Sequence, residues 1–220
     1  MQKLKFLRRL FFWSWTISLP IVIAGTYLTY QGLDRFYTFQ VRYNSKPTSA
    51  SLHKTLSYEV DRFLHSLQVK TSPKKFSHQT SLPRINLFVP ETNLAQLESH
   101  MPQSGFRYVK GGILIDGRLK KAKVKYRGDF LYHWGWDKKS IRVKTGKGTL
   151  FDGLRTFNLQ APKRSQQLNN YLSLKLANVF GLLAPHTEIV RLFLNGQDRG
   201  VSIFVEQPSE TTLRNARLMP

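Results

Sequence analysis

Between Arg107 and Lys147 the chain carries thirteen basic residues: Arg107, Lys110, Arg118, Lys120, Lys121, Lys123, Lys125, Arg127, Lys138, Lys139, Arg142, Lys144 and Lys147. Only Asp116, Asp129 and Asp137 oppose them. The chemistry this composition offers is anion binding, because cations that share one face sum their fields. Two other features of this stretch could contribute. Gly146, Gly148 and Gly153 punctuate a loop that could bring backbone N–H groups to a phosphate, but the spacing fits neither GxGxxG nor the P-loop, and a plain turn is the stronger expectation. Phe130, Tyr132, His133, Trp134 and Trp136 crowd one loop, where they could stack on a base, a sugar or a lipid surface, or fold over a sheet as a small satellite core. Other chemistries find no support. The six histidines lack metal-ligand spacing, no serine sits in GxSxG, and the absence of cysteine excludes thiol catalysis, disulfides and Cys-based zinc sites. Asp152 and Asp198 read as turn residues, and Glu188 and Glu206 stand alone.

The elements that must position the cations read from their periodicity. Ala122, Val124 and Tyr126 alternate with Lys121, Lys123, Lys125 and Arg127, as do Ile141 and Val143 with Arg142 and Lys144, so each strand has an apolar face and a cationic one. Ile85–Val89, Ile113–Ile115, Phe157–Leu159, Glu188–Leu194 and Val201–Val205 complete the strands, the last two joined at Asn195-Gly196, a strong hairpin signal. Glu91–Met101 and Gln166–Phe180 read as helices, the second closed by Gly181 and Pro185. The expected fold is therefore α+β, an antiparallel sheet with about two packed helices.

Upstream, residues 1–9 hold Lys3, Lys5, Arg8 and Arg9 without an acid, and Leu10–Tyr30 is uncharged with Trp13, Trp15, Tyr27 and Tyr30 near its ends. That is long enough to cross a bilayer as a helix, and the positive flank places the N-terminus in the cytoplasm. A cleavable signal around Val22-Ile23-Ala24 is the competing reading, disfavoured by the length of the apolar run. Residues 31–84 read as a juxtamembrane helix between linkers, 85–207 as the folded domain and 208–220 as a short tail, with the domain outside the cytoplasm. The net charge of +21 points to anionic partners: membrane lipid, an anionic polymer or a phosphorylated ligand, with nucleic acid disfavoured.

Five pieces from Arg127 to Gln207 carry a family resemblance. They are Arg127-Gly128; the strand Lys138–Lys144; Phe151-Asp152-Gly153-Leu154 with Phe157-Asn158-Leu159; Phe180-Gly181-Leu182 before Pro185; and Asn195-Gly196 with Arg199-Gly200 leading into Phe204-Val205-Glu206-Gln207. In this order and spacing they resemble the first part of the CotH kinase-like family. Ser202 departs from the bulky residue that the family pattern favours. The resemblance implies an atypical protein kinase with a two-lobe fold, of which this chain would be the small lobe, using ATP and a divalent metal such as Mg²⁺ on a protein substrate. It implies that Lys144, Arg142, Lys139 or Arg127 holds nucleotide phosphates and that Glu206 and Gln207 lie beside the adenine. Metal-binding acids would come from a large lobe after the hairpin, and no Asp follows Asp198. The expectation is therefore a truncated chain, inactive alone, with a missing large lobe as one partner. The alternative is a non-catalytic, membrane-tethered module that binds an anionic polymer, lipid or nucleic acid through its basic sheet face.

Overall fold

A computed structural model describes residues 2–42, 51–71, 81–99, 107–128, 138–162, 168–209, 212–213 and 218. The aromatic loop at 129–137 lies outside them. The chain forms two compact units, 1–76 and 77–220.

In the first unit, α1 (Gln2–Arg42) is one continuous helix, and α2 (Leu52–Thr71) packs on it. Phe11–Tyr37 is long and apolar enough to cross a membrane, a property that signal sequences share. The helix continues past Tyr30 to Arg42, and α2 packs against this continuation. Gly32 permits the approach, since a Cβ there would lie 2.6 Å from Cδ2 of Leu56. Glu59, fully buried, is held by Arg35 (2.6 Å) and Arg62 (3.1 Å), and Arg62 also donates to Gln31 Oε1 at 2.9 Å. A buried carboxylate is tolerated only with such partners.

The second unit is a seven-stranded closed barrel: β1 (Arg84–Phe88), β2 (Val109–Ile115), β3 (Arg118–Tyr126), β4 (Ile141–Thr145), β5 (Thr156–Gln160), β6 (Thr187–Leu194) and β7 (Gln197–Glu206). Its order is β1-β2-β3-β4-β5-β7-β6, and β1 closes it by pairing parallel with β6, Ile85 opposite Leu192 and Leu87 opposite Leu194. All other pairings are antiparallel. This corrects the expected α+β small lobe with two packed helices. Closure removes the sheet edges, and helices contribute little to the core. Between β1 and β2, α3 (Glu91–Ser99) buries only Leu97 fully. Between β5 and β6, α4 (Leu168–Val179) buries no side chain, with Leu172, Leu176 and Val179 exposed. Its regular apolar spacing mimicked a core-facing stripe.

The barrel interior is filled by alternate residues of every strand, as the period-2 geometry demands. Leu87, Ile113, Val143, Phe157 and Leu159 are fully buried there. Phe151, Phe157 and Phe204 stack at 5.0 Å between neighbouring centroids. The Asn195-Gly196 turn has positive φ at both residues (52° and 77°), the type I′ geometry that suits the strand twist. Asn195 does more than turn the chain. Its side chain accepts from Val89 N–H and donates to Val89 C=O, each at 2.7 Å, locking the end of β1 to the hairpin.

Candidate functional site

With the apolar residues of β3 and β4 inside the barrel, their cations stand on its outer wall. Register then decides which cations meet. Lys110 of β2 lies directly opposite Lys123 of β3, and Lys123 directly opposite Lys144 of β4. On the next rung Lys125 opposes Arg142, and Arg142 opposes Asn158. Five cations thus occupy two adjacent rungs across three strands, and neither rung carries an acid. Neighbouring strands are about 4.8 Å apart, so the three lysines of one rung span about 10 Å.

The second rung is braced. Arg142 Nε donates to Asn158 Oδ1 at 2.8 Å, and Asn158 Nδ2 donates to Gln207 Oε1 at 3.2 Å. Lys125 Nζ lies 4.8 Å from the centre of the Tyr108 ring, a cation–π contact. Burial raises the Tyr108 phenol, and the nearby Arg142 charge works against it. Such bracing fixes guanidinium and ammonium groups in place before a ligand arrives, which lowers the entropy cost of binding.

The six residues singled out in sequence separate into four places. Arg142 and Lys144 share the cationic wall, and Gln207 reaches it through Asn158. Arg127 follows β3, with its N–H donated to Ser140 C=O at 2.8 Å. Lys139 lines a cavity of about 310 Å³ together with Lys138, Arg199, Glu98 and Tyr126, over an apolar floor of Leu94, Ile141, Leu192 and Leu194. Tyr126 donates to Glu98 Oε1 at 2.6 Å, and burial with this bond raises the phenol well above its ordinary value. Lys138 donates to Val201 C=O, and its burial lowers the ammonium to about 8, opposed by Asp198.

Glu206 is 3% exposed, and both its oxygens are engaged: Oε2 accepts from His186 N–H at 3.0 Å and Oε1 from the Thr212 hydroxyl at 2.7 Å. It staples the end of β7 to the entry of β6 and to the following segment. Asp198, expected to be only a turn residue, ion-pairs with the buried Arg191 (Nε–Oδ2, 2.9 Å) and caps Gly200 N–H at 2.8 Å. Sequence reasoning missed Lys110 as a member of the wall and Asn158 as its brace, because membership depends on register, which periodicity within one strand does not reveal. The Gly148 and Gly153 positions have φ of 75° and 72°, consistent with turns.

The wall thus gathers five cations, of which Arg142 and Lys125 have the braces described above. Each Glu206 oxygen accepts one hydrogen bond within the chain, and among the described residues no group of three His, Asp or Glu side chains is placed to hold a metal.

Residues 124–219 match the family model of the CotH kinase protein. The chain is 26% identical over 142 residues to the inner spore coat protein H of Bacillus subtilis (strain 168), a match covering 64% of this chain and 38% of that protein. The chain therefore spans well under half the length of this curated relative.

Proposed function

We propose, from the match of residues 124–219 to the CotH kinase protein family model, that this chain is a membrane-tethered phosphate-binding protein whose ligands seat on the outer wall of β2, β3 and β4. The observation that carries this reading is the rung Lys110–Lys123–Lys144. Like charges directly opposite each other in a sheet are destabilising. Three in a row is a local conflict, and such conflicts concentrate at functional sites.

The CotH resemblance gives the phosphates a chemical identity, those of ATP in phosphoryl transfer to a protein. Arg142, braced by Asn158, and Lys144 would hold the phosphate oxygens, with Lys123 opposite. A phosphoryl transfer needs fixed positive charge near the β- and γ-phosphates. That requirement is the part assigned to the wall, and phosphate holding is the role proposed for this chain. A second reading, an extended anionic polymer, is favoured by the breadth of the wall, which exceeds one phosphate group. In either case α1 holds the protein in the membrane with Lys3, Lys5, Arg8 and Arg9 on the cytoplasmic side and the barrel on the other.

Calorimetric titration of the full chain in phosphatidylcholine nanodiscs tests this, with ATP and long-chain polyphosphate as ligands. Both should bind in a salt-sensitive manner and weaken at least tenfold in a Lys123→Glu, Lys144→Glu variant. Equal binding by wild type and variant would refute the assignment. Tight ATP binding with weak polyphosphate binding selects the nucleotide reading, and the reverse selects the polymer.

A further inference from the structure

Beside the cationic wall, where β1, β2 and β3 meet the β6–β7 turn, lies an open groove of about 810 Å³. Its walls are apolar, formed by Phe88, Val89, Pro90 and Leu119. Phe88 is 39% exposed and Leu119 61% exposed, so apolar surface that would gain by burial faces outward here. The floor is Gly111-Gly112. A Cβ on Gly112 would lie 2.8 Å from Leu119 Cδ1, and one on Gly111 would lie 2.9 Å from the Phe88 carbonyl oxygen. Bare backbone therefore keeps β1 close and the groove open. The rim is cationic, with Lys110 and Lys121.

Lys110 belongs to both features. It lines the groove and heads the rung that runs on through Lys123 to Lys144. An apolar trough thus opens directly onto a row of phosphate-binding cations. Neither half explains the other. ATP or a soluble polyanion would use the wall and leave the trough wet, while an uncharged apolar ligand would use the trough and leave the lysines without a counter-charge. Ligand sites of this size are mostly apolar with a few polar groups that fix orientation.

We infer that the groove and the wall together form one site for an amphiphile with a phosphate headgroup, its hydrocarbon in the Phe88–Leu119 trough and its phosphate on Lys110 and Lys123. This inference rests on the phosphate-binding reading of the wall and specifies its ligand class. Lys121, on the rim, adds charge at the headgroup level. The lone acid lining the groove, Glu91, accepts from Asn195 Nδ2 at 3.2 Å, which ties its carboxylate to the hairpin turn.

The test uses the full chain in phosphatidylcholine nanodiscs, titrated calorimetrically with glycerol 3-phosphate, dihexanoyl phosphatidic acid and dihexanoyl phosphatidylcholine, with empty nanodiscs as the blank. The first two ligands share a headgroup and differ in their chains. The phosphatidic acid should bind at least tenfold more tightly than glycerol phosphate, since burying even a few methylenes suffices for that gain. Leu119→Asn should abolish the gain and leave glycerol phosphate binding unchanged, while Leu119→Met retains it. Leu119 is largely exposed, so neither change threatens the fold.

Equal affinity for the two phosphates would overturn the inference and leave the wall intact as a phosphate site. Equal affinity for phosphatidic acid and phosphatidylcholine would also overturn it, showing an apolar groove indifferent to charge. Failure of all phosphates, ATP and polyphosphate included, would overturn the reading of the wall itself.

Discussion

Single side chains decide between a ligand-binding and a structural role. Both oxygens of Glu206, the residue that the resemblance places beside an adenine, hold the chain together at His186 and Thr212. Glu206→Ala leaves a buried N–H and a hydroxyl without partners and should cost about 1–3 kcal/mol. Thermal denaturation should show the loss, with ATP affinity at the wall unchanged at temperatures where the variant is folded. Ser202 presents the opposite case. It is 1% exposed, and its hydroxyl has no hydrogen-bond partner among the described residues. Ser202→Ala removes that unsatisfied group and should raise the melting temperature. The sequence flagged Ser202 as out of pattern, but only its burial explains why a bulkier apolar residue would suit the position. Lys138 makes a third prediction, in pH. Its ammonium titrates near 8 when folded against an ordinary 10.5. A lysine that binds its proton less tightly when folded lowers stability below pH 8, and the penalty fades as pH rises toward 10.5. Lys138→Met should therefore melt higher than wild type at pH 7, by a margin that shrinks across that window.

Secondary-structure elements were largely legible, and their assembly was not. Alternation placed β3 and β4 with the correct faces, and Asn195-Gly196 marked its hairpin. Gly181 ends α4 as expected, with φ of 71°, Leu182 N–H bonded to Ala177 C=O and Gly181 N–H to Asn178 C=O. What periodicity could not show is the parallel union of β1 with β6, because their residues are a hundred positions apart and no local turn announces the pairing. Nor could it show that α4 would bury nothing. Its leucines repeat as a core stripe should, and only the closed barrel leaves them without a place in the interior. These two elements should respond oppositely to mutation. Leu87→Ala, in the closing strand, should cost about 2–5 kcal/mol by opening a cavity. Leu172→Gln, Leu176→Gln in α4 should change stability by no more than about 0.5 kcal/mol per site. Chemical denaturation of both variants checks the corrected architecture.

For the whole molecule, a net charge of +21 forecast an anionic partner, and the barrel turns part of that excess into an ordered array. Composition predicts the sign of the proposed ligand, and register stacks Lys110, Lys123 and Lys144 on one rung that no single strand displays alone. The chain's lack of cysteine makes its placement testable. If α1 anchors it with the barrel outside the cytoplasm, Lys147→Cys should react with a membrane-impermeant maleimide on intact cells, and Gln2→Cys should not. The central claim, that the wall exists for phosphate at a cost in stability, is met most directly by one variant. Lys123→Glu replaces two like-charge pairs with opposite-charge pairs. Paired measurement of melting temperature and ATP affinity should show the first rising and the second falling at least tenfold, while Lys147→Glu, with the same change in net charge away from the rungs, leaves affinity within about twofold. Unchanged ATP affinity in Lys123→Glu, or an equal loss in Lys147→Glu, would contradict the account.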